Sequence, residues 1–113
     1  MDFGKLKEFR KALDRLAAQI RVADADSIGE RAPVELDQQA VGRLSRMDAL
    51  QVQAMAMETS RRRATELRRI TAALVRIDEG EFGYCLKCGD EIAARRIELD
   101  PATPLCIGCA SGK

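Results

Sequence analysis

The sequence predicts a mostly α fold: an antiparallel helical hairpin (a coiled coil) followed by a small C4 finger. Three observations lead there. Apolar residues recur at helical spacing over residues 2–24 and again over 37–78. Aromatic residues make up only 4% of the 113 residues, with no Trp, whereas β-sandwiches and barrels draw on more. All four cysteines fall in the last 35 residues, as two C-x2-C pairs. The organisation expected from this is a hairpin over 1–78 with an acidic connector near 22–37, and a finger over 79–113.

The first helix is marked by Leu6, Phe9, Leu13, Leu16 and Ile20. Their steps alternate between three and four, as in a coiled-coil seam, while Lys5, Lys7, Arg10, Lys11, Asp14 and Arg15 face outward. The pattern then dissolves. Asp24, Asp26, Glu30, Glu35 and Asp37 stand against the single Arg31, and Gly29, Pro33 and the Asp26-Ser27 pair are turn chemistry. Asp37 can cap a second helix through the amides of Gln39 or Ala40. That helix runs to about Asp78 through Leu44, Met47, Leu50, Ala54, Met57, Ala64, Leu67, Ile70, Leu74 and Ile77. At 1.5 Å per residue it extends about 60 Å, too long to stand without a partner, and the first helix folded back is the obvious one. Gly80 and Gly83 end it.

Composition excludes several function classes. With no His, there is no His-based acid–base pair, no Ser–His or Cys–His nucleophile and no His-containing metal site. The 19 basic and 18 acidic residues leave a net charge of +1, which excludes a globally basic coat for nucleic acid but not a local patch. No apolar run approaches the roughly 18–20 residues that span a bilayer, and charges begin at Asp2. A cytoplasmic protein without a membrane partner is the expectation, and nothing in the sequence points to an enzyme.

A reducing compartment directs four cysteines toward metal ligation rather than disulfides. Cys85-Leu86-Lys87-Cys88 and Cys106-Ile107-Gly108-Cys109 leave 17 residues between the inner cysteines, inside the spacing of zinc ribbons. Each C-x2-C can turn in a tight knuckle, with Gly89 and Gly108 expected to supply unusual backbone angles. Cys85, Cys88, Cys106 and Cys109 would fill the shell of one structural Zn2+ and leave no position for an activated water. A rubredoxin-like iron centre or two redox disulfides are the other uses of such a quartet. A tail this short is expected to fold only with its metal, with Ile92, Ile97, Leu99 and Leu105 as its small core.

The run from Glu81 to Ile92, EFGYCLKCGDEI, resembles the signature of the DksA/TraR C4-type zinc-finger family. Arg95-Arg96-Ile97-Glu98, Pro101 and Leu105-Cys106-Ile107-Gly108-Cys109 continue the likeness, and Phe9-Arg10-Lys11-Ala12-Leu13 is similar to the start of the family's first helix. The resemblance implies a bacterial transcription regulator that binds RNA polymerase, placing a coiled coil in the secondary channel with acidic residues at its tip. Some members respond to ppGpp, but no residues for it carry over to this chain. The best-known members have Asp-x-x-Asp-x-Ala at the tip, a pattern absent here. The nearest substitutes are Asp24-Ala25-Asp26 and Asp48-Ala49, whereas the family's spacing counted back from Cys85 lands near Gly42 to Met47.

Two function classes follow. In the first, a polymerase-binding regulator, Asp24, Asp26, Arg61, Arg62 and Arg63 are the candidate partner contacts. The second is a DNA- or RNA-binding zinc-finger module, since GATA-type fingers share the cysteine spacing. Residues 79–113 hold six acidic and four basic residues, which disfavours phosphate binding and sequence-specific DNA recognition. A protein–protein adaptor using the coiled coil alone is a weaker third. Met47, Met55 and Met57 read as seam filler, with an adaptable partner surface as the alternative.

Overall fold

The computed structural model describes residues 2–27 and 43–112, with the side chains of residues 43–45 excepted. Helix α1 (Phe3–Asp26) begins where the Asp2 carboxylate accepts the Lys5 amide at 2.8 Å, a side-chain N-cap. Helix α2 (Arg43–Glu79) is 37 residues long, about 55 Å at 1.5 Å per residue. Two short helices follow, α3 (Ala94–Leu99) and α4 (Ile107–Ala110). No strand occurs among the described residues. An isolated antiparallel bridge joins Tyr84 and Glu91.

The two long helices form the antiparallel hairpin. At its open end, early α1 meets late α2 through the Arg10–Asp78 ion pair. At the other end the Arg63 guanidinium donates to Ser27 Oγ at 2.9 Å, and Ser60 Oγ donates to Asp24 at 3.3 Å. Along the hairpin, Leu6, Phe9, Leu13, Leu16 and Ile20 turn inward as their spacing predicts, on the side of Leu67, Ile70, Leu74 and Ile77. Leu13 and Ala73 are fully buried at the centre.

Helix α2 ends in a Schellman motif. The Glu81 amide donates to the Arg76 carbonyl at 2.8 Å and the Gly80 amide to that of Ile77 at 3.2 Å. Gly80 closes it at φ +76°, a left-handed conformation that a side chain would strain. The chain then turns back so that the finger packs on the hairpin's open end. Phe82 meets Phe9 with ring centroids 5.6 Å apart. Phe82, Cys85, Ile92, Ile97 and Ala102 join Leu13, Ala17, Ile70 and Ala73 in one core. Arg69 donates to Asp100 at 2.7 Å and pins α2 to the end of α3.

Four expectations are corrected here. The connector does not begin at 22: α1 continues through Asp26, so Asp24 and Asp26 are helical. Ala23, Asp24 and Ser27 carry on the inward-facing spacing of Ile20, and this packing against α2 overrides the local turn chemistry. The rest of the connector and the Asp37 cap lie outside the described residues. In the first half of α2, Met47, Leu50, Ala54 and Met57 do not form the seam and are exposed. The half-buried face steps back from Leu67 through Arg63, Ser60, Ala56, Gln53, Ala49 and Arg46; Arg63 and Ser60 meet the end of α1, and the positions before Ala56 lie beyond it. It keeps the alternation of three and four through polar residues, and reading apolar residues alone slips one position at Ala64. In the finger, Leu99 is 80% exposed instead of buried, because α3 presents Ile97 to the core and Leu99 lies about 200° further round the helix. Gly108 has no left-handed angle, since it sits inside α4; Gly112, at φ +79°, takes that conformation after the helix instead.

A shared core at the open end predicts a sharp contrast between two leucines. Leu13→Ala is expected to destabilise the chain by about 2–5 kcal/mol, as for other fully buried leucines. Leu99→Ala should stay within about 0.5 kcal/mol. Urea unfolding followed by far-UV circular dichroism checks both.

Candidate metal centre

The first knuckle is built by backbone hydrogen bonds around Cys85. The Gly89 amide donates to the Cys85 carbonyl at 2.9 Å, closing Cys85-Leu86-Lys87-Cys88 into a tight turn. Gly89, at φ +78°, allows the chain to leave that turn toward the Tyr84–Glu91 bridge. The Cys85 amide donates to the Asp90 carbonyl at 2.8 Å and the Leu86 amide to the Pro104 carbonyl at 2.9 Å, the latter bringing the second knuckle alongside. The second knuckle is the start of α4. Cys106 caps that helix, its sulfur accepting the Cys109 amide at 3.5 Å.

These two turns bring all four sulfurs within 4.8 Å of one another. Cys88 Sγ and Cys106 Sγ are 3.7 Å apart, and none of the four is in a disulfide. A tetrahedral shell with Zn–S bonds of about 2.3 Å has sulfur–sulfur edges of about 3.8 Å, so the spacing is that of a ligand set. Cys85 is buried, Cys106 and Cys109 are half-buried and Cys88 is exposed, so the site lies at the finger's surface with one side in the shared core.

Electrostatics point the same way. The Cys106 amide, followed by that of Cys88, stabilises a thiolate at Cys85 and pulls it down to about 6. At Cys88 the Asp90 amide favours the thiolate, but the Cys85 and Cys106 sulfurs leave the thiol raised. Cys109 is pushed up to about 12, first by the Cys106 sulfur and then by that of Cys85. One thiolate forms easily and its neighbours resist following, because the like charges are crowded. A divalent cation removes that resistance. The four-cysteine cluster fits one structural zinc, and its closed sulfur shell has no room for a reactive water.

The other candidate residues do not gather at one place. Arg61 and Arg62 are exposed on the middle of α2, each 3.4 Å from the Glu58 carboxylate. Arg63, one residue on, turns into the seam, where it lies 3.8 Å from Asp24 and bonds Ser27. Asp24 is therefore part of the interhelical packing, while Asp26 is exposed at the end of α1. The tie between Arg69 and Asp100 went unseen in the sequence, where nothing local links two residues 31 apart. Arg96, half of the finger's one basic pair, donates from Nε to the Leu105 carbonyl at 2.9 Å and so braces the finger.

Comparison with known proteins agrees with this geometry. The family described as Prokaryotic dksA/traR C4-type zinc finger matches residues 80–113. The RNA polymerase-binding transcription factor DksA of Escherichia coli is 30% identical over 112 residues, covering 96% of this chain and 71% of that protein. The protein of the same name from Haemophilus influenzae is 46% identical over 43 residues, covering 38% of this chain and 30% of that protein. The structure of transcription factor DksA2 from Pseudomonas aeruginosa superposes with a TM-score of 0.79, covering 99% of this chain and 84% of that one at 24% identity, which shows the shared fold. With both the hairpin and the four-cysteine finger accounted for, the chain belongs to the DksA/TraR family of C4-type zinc-finger proteins.

Proposed function

We propose that this protein is a cytoplasmic transcription regulator that binds RNA polymerase through its helical hairpin, and that it is not an enzyme. The observation that carries this reading is the alignment with the polymerase-binding DksA of Escherichia coli, which runs through the hairpin and the finger alike. The hairpin (1–78) is the contacting unit. The finger (79–113) is a brace, folded around a zinc held by Cys85, Cys88, Cys106 and Cys109. Its acidic balance and the use of Arg96 for internal bracing weigh against a nucleic-acid-binding finger. Insertion into the polymerase secondary channel follows from the family likeness. Arg61 and Arg62 are the charged contacts best placed to meet a partner, because Arg63 and Asp24 are engaged within the hairpin.

Three outcomes test this. Elemental analysis in reducing buffer should find about one zinc per chain, and Cys88→Ser should lower that content; acidification should also release the metal, since thiolates bind only after losing their protons. An absence of stoichiometric zinc contradicts the assignment of the four ligands.

Chelation should loosen the finger but leave most of the far-UV helical signal, because the seam from Leu16 to Ser27 lies away from the cysteines. Tyr84, the only tyrosine, sits on the finger and should change its fluorescence in the same titration.

Core RNA polymerase immobilised on a sensor should bind the chain at micromolar concentration or below. Arg61→Ala with Arg62→Ala should weaken association severalfold and flatten its salt dependence, as charged rim contacts do. Arg63→Ala should in addition lower hairpin stability. Tight, salt-sensitive binding to DNA with none to polymerase is the result that favours the nucleic-acid reading.

A further inference from the structure

Arg76, in the last turn of α2, is the only buried charged side chain among the described residues, at 7% exposed. It makes no hydrogen bond and no ion pair among them. A cation gains from the dipole at a helix C-terminus, but it gains as much at the surface. Burying a guanidinium without an anion is unfavourable. Burial, and then the charge of Arg69, both work against its cationic form. Arginine nevertheless keeps its proton in proteins, so the site holds a charge that lacks its counterion.

Arg76 lines a cavity of about 260 Å3 between α2 and the finger. Its guanidinium is not sealed in, because no buried side-chain nitrogen or oxygen among the described residues lacks a partner. Thr65, Arg68 and Arg69 share the α2 wall with it, and Leu86 and Pro104 form the finger wall, joined by their backbone hydrogen bond at 2.9 Å. Steps of three, four and seven residues put the α2 members on one face of the helix. Arg69 is already matched, donating to Glu66 at 2.5 Å and to Asp100 at 2.7 Å. Arg68 donates to the neutral Thr65 hydroxyl at 3.0 Å and has no ion pair among the described residues. None of the lining residues is acidic. Two uncompensated guanidinium charges, those of Arg68 and Arg76, therefore face one cavity.

We propose that this cavity is a phosphate site, in which Arg76 from the floor and Arg68 from the rim hold the phosphate group of a small molecule. Two free positive charges match a phosphate, which carries nearly two negative charges at neutral pH, better than a carboxylate, which carries one. Guanidinium groups also present paired donors to phosphate oxygens. The volume lies just below the ~300–1,000 Å3 of pockets for drug-sized ligands, so it admits a phosphate with a short substituent and excludes a helix. Leu86 and Pro104 offer an apolar wall to such a substituent. The site stands independently of the polymerase reading, since every group in it belongs to this chain.

Isothermal titration calorimetry on the full-length, zinc-loaded chain tests this, with inorganic phosphate, glycerol phosphate and acetate as probes at constant ionic strength. Both phosphates should bind at millimolar concentration or below, and acetate at least tenfold more weakly. Tighter binding of glycerol phosphate assigns the site to a phosphate ester, and equal binding assigns it to the free ion. Arg76→Met, which removes the charge and keeps an apolar side chain of similar length, should weaken phosphate binding at least tenfold with zinc content and the circular dichroism spectrum unchanged. Arg68→Gln, at an exposed position, should weaken it severalfold, and it decides the matter if Arg76→Met fails to fold. Arg21→Gln, an exposed charge on α1, should change it less than twofold. No saturable binding at tens of millimolar phosphate, acetate binding as tightly as phosphate, or wild-type affinity in the folded Arg76→Met or Arg68→Gln chain overturns the proposal.

Discussion

The packing of Phe82, Ile92 and Ile97 against Leu13, Ile70 and Ala73 is the contact on which the rest of the molecule depends. A finger of 35 residues is too small to bury a stable core of its own. A two-helix hairpin offers a single seam, which is a narrow core for helices of this length. Joined at the hairpin's open end, each supplies the apolar surface that the other lacks. The metal cluster belongs to the same arrangement, because Cys85 is both a member of this core and one corner of the sulfur set. Ligation at the surface and packing in the interior thus meet in one residue. The Arg10–Asp78 and Arg69–Asp100 pairs flank this junction, and both are partly exposed, so they orient the parts more than they hold them together.

Legibility in the sequence follows the strength of each local constraint. Cysteine spacing is a covalent-scale requirement of one ion, so all four sulfurs were readable from C-x2-C and a 17-residue gap. The α1 seam was equally readable, because each of its positions from Leu6 to Ile20 is apolar. Beyond Ala64 toward the start of α2 the half-buried face carries Arg63, Ser60, Gln53 and Arg46 beside two alanines, and hydrophobicity ceases to report which face is inside. The periodicity was present, carried by position and not by residue type. Leu99 shows the opposite case, an apolar residue that α3 turns outward because Ile97 takes the one core-facing position. Asp24 looked like loop chemistry, and only its place one turn beyond Ile20 in a continuing helix explains why it faces Ser60 and Arg63.

A polar layer in the seam has its own physical consequence. Arg63, Ser60, Asp24 and Ser27 bring hydrogen-bonding groups into contact where leucines would pack more strongly. A sliding hairpin would have to break these bonds and leave their groups facing apolar neighbours, which costs more than shifting one leucine past another. Such a layer fixes register at some expense of stability, the best-attested use of buried polar groups in coiled coils. In this chain the layer also marks a change of character along α2. On the finger side the seam is apolar; it turns polar at Arg63 and Ser60, and toward the start of α2 Met47, Leu50 and Met57 are exposed.

That exchange bears on the missing acidic tip. Residues 42–47, where the family's spacing counted back from Cys85 places the tip, contain two arginines and no acid. Asp48, just beyond, is an exposed carboxylate near the start of α2. This hairpin has exposed apolar side chains and exposed arginines along the side of α2. The finger's brace fixes how α2 is held at the hairpin's open end. Asp100 and Phe82 set how the finger lies against the hairpin, and so they also fix the direction in which the two long helices leave it.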